Sequence, residues 1–257
     1  MIRFLVPTTL LATYSLAAAP ASAQPPFEGV ITFRMGEASE DPAELVQTVK
    51  GRKLRLDGVR IAMDPSDPGV TVILDAEAGR MVMLSPMDTM ALVMTYAEAE
   101  LHFDGAGTAR GGLADVEGGR TVAPANTNRT ETVAGVECEV WSGPVTQFGM
   151  TYGEELCLAP GVGLELEAIL SYPFVSLLGQ YLNHWAGYRD FVRPDNRILK
   201  STMIENGVRS VWLEATRIER KPVDDAAFSI PAGYAETTLE QLKAEDVDAE
   251  QDSAGTR

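Results

Sequence analysis

The most reactive side chains in this chain are those of its two cysteines, Cys138 and Cys157. They do not form a C-x-x-C motif, and no histidine lies within ten residues of either. This spacing argues against a dithiol redox site and against a common zinc site. Two cysteines in an oxidising compartment allow a single intramolecular pairing. We therefore expect a structural disulfide between Cys138 and Cys157, with free or intermolecular thiols as the alternative.

Acid–base catalysis would need positioned titratable groups, and the chain has only two histidines, His102 and His184. The pattern favours a surface loop for His102 and a packed position among aromatic residues for His184. The acidic pairs 154–155 and 224–225 are adjacent in sequence, so in a strand the two carboxylates of each pair point to opposite faces. No G-x-S-x-G, H-E-x-x-H or phosphate-binding glycine loop is present. The sequence thus predicts a protein that is not an enzyme and needs no cofactor.

Methionines are concentrated in the stretch "RMVMLSPMDTMALVM" (80–94). In a strand, Met81 and Met83 would share one face. Such residues are typical of core packing, of a pocket wall that adapts to varied apolar ligands, or of a copper(I) site built from thioethers. Because no histidine stands beside them, copper(I) binding is a remote alternative.

The first 23 residues have the three parts of a secretory signal. Arg3 precedes an apolar run that ends at Ala19, and Ala21-Ser22-Ala23 supplies an A-x-A cleavage site. The run is too short and too interrupted for a membrane span, which needs about 20 apolar residues. We expect cleavage after Ala23 and a periplasmic protein without a membrane span.

The chain is strongly acidic, with a formal net charge of -16 at pH 7, and this argues against nucleic acid as a partner. Part of the charge lies in 236–257, which lacks a sustained apolar period. We expect this segment to be a disordered tail. Its alternative role is contact with an envelope protein partner.

The elements that must position these residues are mainly strands. Apolar residues alternate with polar ones in 27–35 and 45–58, the stretch 70–86 predicts a hairpin, and 90–96 predicts another strand. The cysteine strands are 132–143 and 151–160. Asn206-Gly207 predicts a hairpin turn between two further strands. The total is about eight antiparallel strands, interrupted by a loop-rich segment at 97–131 and by a helical segment at 164–192.

The segment 164–192 has apolar residues three and four positions apart, and Pro173 should break or kink it. A sheet with one apolar face needs a cover of this kind. The segment is therefore either plain core or a lid over a cavity for a long apolar ligand. Its residues that would face the sheet include Phe174, Leu177, Leu178 and Tyr181.

Three stretches then give a resemblance: "FEGVITFRM" (27–35), "TVAGVECEVW…EELCLAPGVGL" (132–164) and "VWLEATRIERKPVDDAAFSIPAGY" (211–234). Together they resemble an uncharacterised family of exported bacterial proteins and, more broadly, the periplasmic lipoprotein-carrier group. That resemblance implies a half-open antiparallel β-barrel whose concave apolar face is partly covered by helices. It also implies that the concavity holds acyl chains of lipoproteins or other lipids. No catalytic or ligand motif is carried over with it.

These observations predict a mainly β (α+β) fold, a curved half-open barrel of about eight strands with helices on its concave face, in a single domain over 24–235. We expect a non-enzymatic periplasmic protein that binds a hydrophobic or lipid-like ligand between sheet and helix. The alternatives are an envelope protein–protein interaction module without a small-molecule site and, more remotely, a copper(I)-binding protein. The predicted ligand-binding residues are Met81, Met83, Met94, Phe174, Leu177, Leu178 and Tyr181.

Overall fold

The computed structural model of the chain describes residues 26–36, 42–59, 69–99, 101, 124–147, 150–162 and 196–244. Twelve strands within these residues form one open sheet, in the order β12-β6-β5-β4-β3-β2-β1-β11-β10-β9-β8-β7. The strands are β1 (Gly29–Met35), β2 (Ala43–Lys50), β3 (Lys53–Val59), β4 (Val70–Asp75), β5 (Arg80–Ser85), β6 (Met90–Thr95), β7 (Ala125–Val133), β8 (Val136–Gln147), β9 (Met150–Pro160), β10 (Asn196–Glu205), β11 (Val208–Arg220) and β12 (Ala235–Thr238). Neighbours are antiparallel except for β12, which runs parallel to β6. The predicted mainly β character is confirmed.

The predicted count of about eight strands is too low, because two tight turns and one polar strand are not evident in the sequence. The stretch 45–58 is two strands, β2 and β3, because the chain turns back at Gly51, whose φ is 54°. The stretch 132–143 holds a second tight turn at Ala134 and Gly135, with φ of 48° and 81°. The strand before that turn, β7, begins at Ala125 inside the segment predicted as loop. Its side chains are mostly exposed and polar on both faces, so the sequence has no period-two signal there.

Other turns lie where the sequence predicts them. Residues 76–79 connect β4 to β5, and Asn206-Gly207 connects β10 to β11 with φ of 50° and 81°. Asn and Gly tolerate the left-handed conformation that a two-residue hairpin turn requires. These turns fix the register of each hairpin and with it the face on which every side chain lies.

The chain beyond residue 235 takes part in the sheet. The backbone N–H of Ala235 donates to Thr89 O at 2.9 Å, and β12 then pairs with β6. A helical turn follows at 239–244, in which Leu239 is buried. The described sheet therefore continues past residue 235, because parallel pairing with β6 anchors a segment whose own sequence carries little apolar pattern.

The sheet has an inner and an outer apolar face. One face is called the inner face, and its buried residues form a single cluster. This cluster runs from Met94 in β6, through Leu54 in β3 and Phe33 in β1, to Cys157 in β9. On the outer face of β4–β6, a separate cluster packs under the chain's own segment 223–234, in which Phe228 is buried. A single 3-10 turn at Asp225–Phe228 shapes this segment.

Polar contacts fasten the segment 223–234 to the outer face. Asp225 lies 3.1 Å from Lys50 Nζ and 3.6 Å from Lys53 Nζ. Arg55 Nη1 donates to Ala227 O at 2.9 Å, and the backbone N–H of Val223 donates to Glu28 Oε1 at 2.8 Å. The outer side of β4–β6 is thus closed by this segment of the chain itself.

The half of the sheet from β11 to β7 is strongly curled. Residues of β7 and β11 come within 8 Å of each other, Cα to Cα. In a flat sheet the three intervening strands would hold them about 19 Å apart. Lys200 Nζ of β10 also reaches Glu131 Oε2 of β7 at 2.8 Å, across two strands. Because Glu131 shares its face with Val133 of the inner cluster, the inner face is the concave one.

Four predicted features lie wholly or mostly outside the described residues. They are the signal segment 1–23, the loop-rich segment with His102 (residues 100 and 102–123), the helical cover 164–192 with His184, and the end of the acidic tail after residue 244. Among the described residues, no helix is long and apolar enough to cross a membrane.

Candidate ligand-binding face

Two rows of side chains cross the inner face from strand to strand. Direct cross-strand partners lie on the same side of an antiparallel sheet about 5 Å apart, so a series of partners forms a continuous surface. The first row is Val49, Leu54, Leu74, Met81 and Met94. The second row is Ile31, Gln47, Leu56, Val72, Met83 and Leu92. All members except Gln47 are apolar, and from β1 to β6 the surface spans about 24 Å.

Three of the predicted ligand-binding residues lie together in these rows. Met81 directly faces Met94, and Met83 faces Leu92 one row away. Met81 is 3% exposed and Met94 1%, whereas Met83 is only partly buried. The pattern of the sequence predicted that Met81 and Met83 share a face. The register of β5 and β6 adds Met94 to that face, at the β5–β6 end of the apolar surface. Phe174, Leu177, Leu178 and Tyr181 lie outside the described residues.

Gln47 is the polar member of the second row, and it is not among the ligand-binding residues predicted from the sequence. It lies between Ile31 of β1 and Leu56 of β3, and it is 8% exposed. The signal for it was present, because the alternation in β2 puts residue 47 on the same face as Leu45 and Val49. A glutamine at such a position is a buried polar group that the sheet itself cannot pair.

Two short helical segments contribute to the inner cluster from the β6 edge of the sheet. Residues 96–99 follow β6 directly and bring Tyr96 and Ala99 into the cluster. The turn after β12 brings Leu239 and Leu242. Both helical segments lie within the described residues, and they cover part of the rows at the end that holds the methionines.

The disulfide lies at the other end of the same cluster. Cys138 and Cys157 are bonded, with their Cα atoms 5.3 Å apart, which confirms the predicted pair. They sit on the two arms of the β8–β9 hairpin, but they are diagonal rather than directly opposite, since Cys157 faces Val140. Both are buried, at 1% and 3% exposure, so the bond lies within the packed inner face.

A group of charges lies on the concave side of the curled half. Glu155 of β9 lies 2.8 Å from Arg129 of β7 and also forms an ion pair with Arg209 of β11. Hydrogen bonds, first from Arg209 and then from Arg129, hold the pKa of the Glu155 carboxyl below its usual range against the effect of burial. Glu155 thus ties β9 to two strands that are not its neighbours, which supports the curl. The group is internally paired, so it is read as structural.

Tyr152 of β9 gives a testable pH dependence. Burial, with the charge of Glu154, raises the pKa of Tyr152 to about 12, whereas an unfolded tyrosine titrates near about 10. Between about pH 10 and 12 the folded protein therefore keeps a proton that the unfolded chain has lost. The contribution of Tyr152 to the free energy of unfolding is complete below about pH 10 and disappears as the pH rises toward 12. We expect the free energy of unfolding in urea to fall more steeply over this interval in the wild type than in Tyr152→Phe. Equal slopes for the two proteins would contradict the assignment.

The described residues were also considered as possible metal ligands. No group of three or more His, Cys, Asp or Glu residues there could hold a metal ion. Met81, Met83 and Met94 lie in apolar rows beside leucine and valine. The site that the described geometry offers is an apolar surface with one amide group.

Comparisons with known proteins add a structural likeness. No family model matches the chain, and no curated protein matches it. A solved structure, the crystal structure of the LolA superfamily protein NE2245 from Nitrosomonas europaea, is similar to this chain at 11% sequence identity and a TM-score of 0.28. The alignment covers 80% of this chain and 91% of that chain. Likeness at this identity and TM-score assigns neither a family nor a function.

Proposed function

We propose that this is an exported, non-enzymatic protein that binds the apolar chain of a lipid-like molecule on the inner face of β1–β6. The observation that carries the proposal is the pair of unbroken cross-strand rows, apolar at every position but one, with three methionines at their β5–β6 end. An apolar chain laid along such rows would remove its surface from water over the whole width of the six strands.

The methionines make this face adaptable. Methionine has an unbranched, polarizable side chain with several rotatable bonds, so it fits apolar partners of varied shape better than leucine or valine does. The partly buried Met83 lies beside the fully buried pair of Met81 and Met94. A tail of variable length would therefore end at the methionine side of the rows.

Binding requires the face to open. Most residues of the rows are buried, and Leu239 and Leu242 pack on the same cluster. The ligand would take the place of covering side chains, as in proteins where a lid must move before a ligand can enter. The outer face needs no such exchange, because the segment 223–234 covers it.

The chemistry of the face supports binding rather than catalysis. The one polar side chain in the two described rows, the carboxamide of Gln47, neither titrates nor acts as a nucleophile. It can only donate or accept hydrogen bonds. An export location is supported by the disulfide, since such bonds persist in oxidising compartments such as the periplasm.

Two methionines provide a matched test of this function. Met83 lies in the second row, whereas Met87 lies in the β5–β6 turn and is 76% exposed. We expect Met83→Glu to weaken the binding of a fluorescent polyene fatty acid at least about tenfold, because a charge enters the apolar face. Met87→Glu makes the same chemical change at the surface and should leave the affinity unchanged. Fluorescence titration measures both.

Absence of binding by the wild type would overturn the proposed function, as would an equal loss of affinity in the two variants. Circular dichroism of Met83→Glu distinguishes lost binding from lost fold. Native mass spectrometry of protein isolated from the cell envelope provides an independent measurement. It should show an additional mass in the range of a lipid on the wild type.

A further inference from the structure

Gln47 is the one polar side chain in the two described rows of the apolar surface. Its direct neighbours across the sheet are Ile31 and Leu56, and Leu45 and Val49 share its face along β2. It is 8% exposed. Its Oε1 atom is buried and has no hydrogen-bond partner among the described residues.

An unpartnered buried carbonyl oxygen reduces stability, because the group gave up hydrogen bonds to water without replacing them. Leucine or methionine at this position would fill a similar volume and complete the apolar row. Polar groups that weaken a fold in this way are typical of positions where function, rather than stability, determines the residue.

We propose that Gln47 recognises the ligand by accepting a hydrogen bond from a donor group on an otherwise apolar chain. This inference rests on the proposed function and narrows its ligand class. The ligand would carry a hydroxyl or an amide N–H close to its acyl chain, since only a donor can satisfy Oε1. An unsubstituted hydrocarbon chain would leave this oxygen unpaired.

The rows also give the bound chain a direction. Gln47 and Met83 belong to the same cross-strand row, in β2 and β5. Three strand spacings separate them, or about 14 Å. A ligand whose donor lies at Gln47 would therefore run its tail across Leu56 and Val72 toward the methionine end of the face.

Three probes of equal chain length test the inference: tetradecanoic acid, 3-hydroxytetradecanoic acid and N-tetradecanoylglycine. All three keep a carboxylate, and only the last two add a donor, a hydroxyl or an amide N–H. We expect the wild type to bind at least one donor-bearing probe about five to ten times more tightly than tetradecanoic acid, as one additional hydrogen bond would give. The preferred probe identifies the donor as hydroxyl or amide.

The variants Gln47→Leu and Gln47→Met should bind all three probes with equal affinity. We also expect them to raise Tm in the absence of ligand by about 2–4 °C, since they remove an unpaired polar group. A merely structural glutamine would give the opposite result, a lower Tm with the probe preference intact, and this would overturn the inference. Equal affinity of the wild type for all three probes would overturn it while leaving the proposed function standing. Failure of the wild type to bind any probe would overturn both.

Discussion

Replacing Gly29 with alanine is expected to cost more than about 3 kcal/mol of folding free energy, and to lower Tm by more than about 6 °C. A Cβ atom at residue 29 would lie 1.9 Å from the carbonyl oxygen of Glu219, in the neighbouring strand β11. The φ of Gly29 is 151°, a conformation that side-chain-bearing residues rarely adopt. Because β1 joins β2 to β11, the clash falls where the β2–β6 half of the sheet meets the curled half. Urea and thermal unfolding of Gly29→Ala measure the loss.

Gly36 at the other end of β1 is the matched control. It too has a positive φ, 99°, but a Cβ atom there would meet nothing within 4 Å. Gly36→Ala should therefore show only the backbone strain, about 1–2 kcal/mol. The difference between the two variants isolates the steric contact between β1 and β11. Equal losses would show that β1 does not approach β11 as closely as the structure indicates.

Strand alternation was the part of the fold that the sequence predicted well. In β3 the residues Leu54 and Leu56 are buried while Lys53 and Arg55 are not. In β1 the residues Ile31 and Phe33 are buried, as the period of two requires, and Phe27 just before the strand continues the pattern. The alternation follows directly from the pleat of a strand, so it needs no knowledge of which strands are neighbours. The shared face of Met81 and Met83 was predictable for the same reason.

Long-range pairing was the part that the sequence could not predict. The strands β4 and β6 contain runs of apolar residues, "VTVIL" and "MALVM", because both of their faces are buried. Such runs do not show that the outer face lies under residues 223–234, more than 120 positions away. The parallel pairing of β12 with β6 was also not predictable from the sequence, since "AETT" has no apolar pattern.

Gln47 shows why strand alternation alone does not identify the polar group of the candidate site. The sequence places it on the buried face of β2, but one polar residue in an alternating strand is a common exception. Only the register shows that both cross-strand neighbours are apolar, and only the hydrogen-bond geometry shows that its oxygen has no partner within the part of the chain that the structure describes. The apolar wall of the candidate site was therefore predictable from the periodicity of the sequence. Its polar group became evident only from the assembled sheet.

Loss of the disulfide is expected to cost about 3 kcal/mol, which corresponds to a Tm lower by about 6–12 °C. The bond joins residues separated by 19 positions, and closing a loop of that size restricts mainly the unfolded chain. The wild type in excess reductant should show this lower Tm, once thiol alkylation has confirmed that the bond is open. Thermal unfolding followed by circular dichroism measures the shift.

The double variant Cys138→Ala/Cys157→Ala separates the cross-link from the packing of the sulfur atoms. Its Tm should be close to that of the reduced wild type. It should be slightly lower than that value, because truncation of two buried side chains also removes packing, and reductant should not change it. Since the bond acts mainly on the unfolded chain, the folded, reduced protein should bind the fatty-acid probe well below its Tm as tightly as the oxidised protein does. A loss of affinity on reduction would instead show that the β8–β9 hairpin must be held closed for the apolar rows at the other end of the inner cluster to accept a ligand.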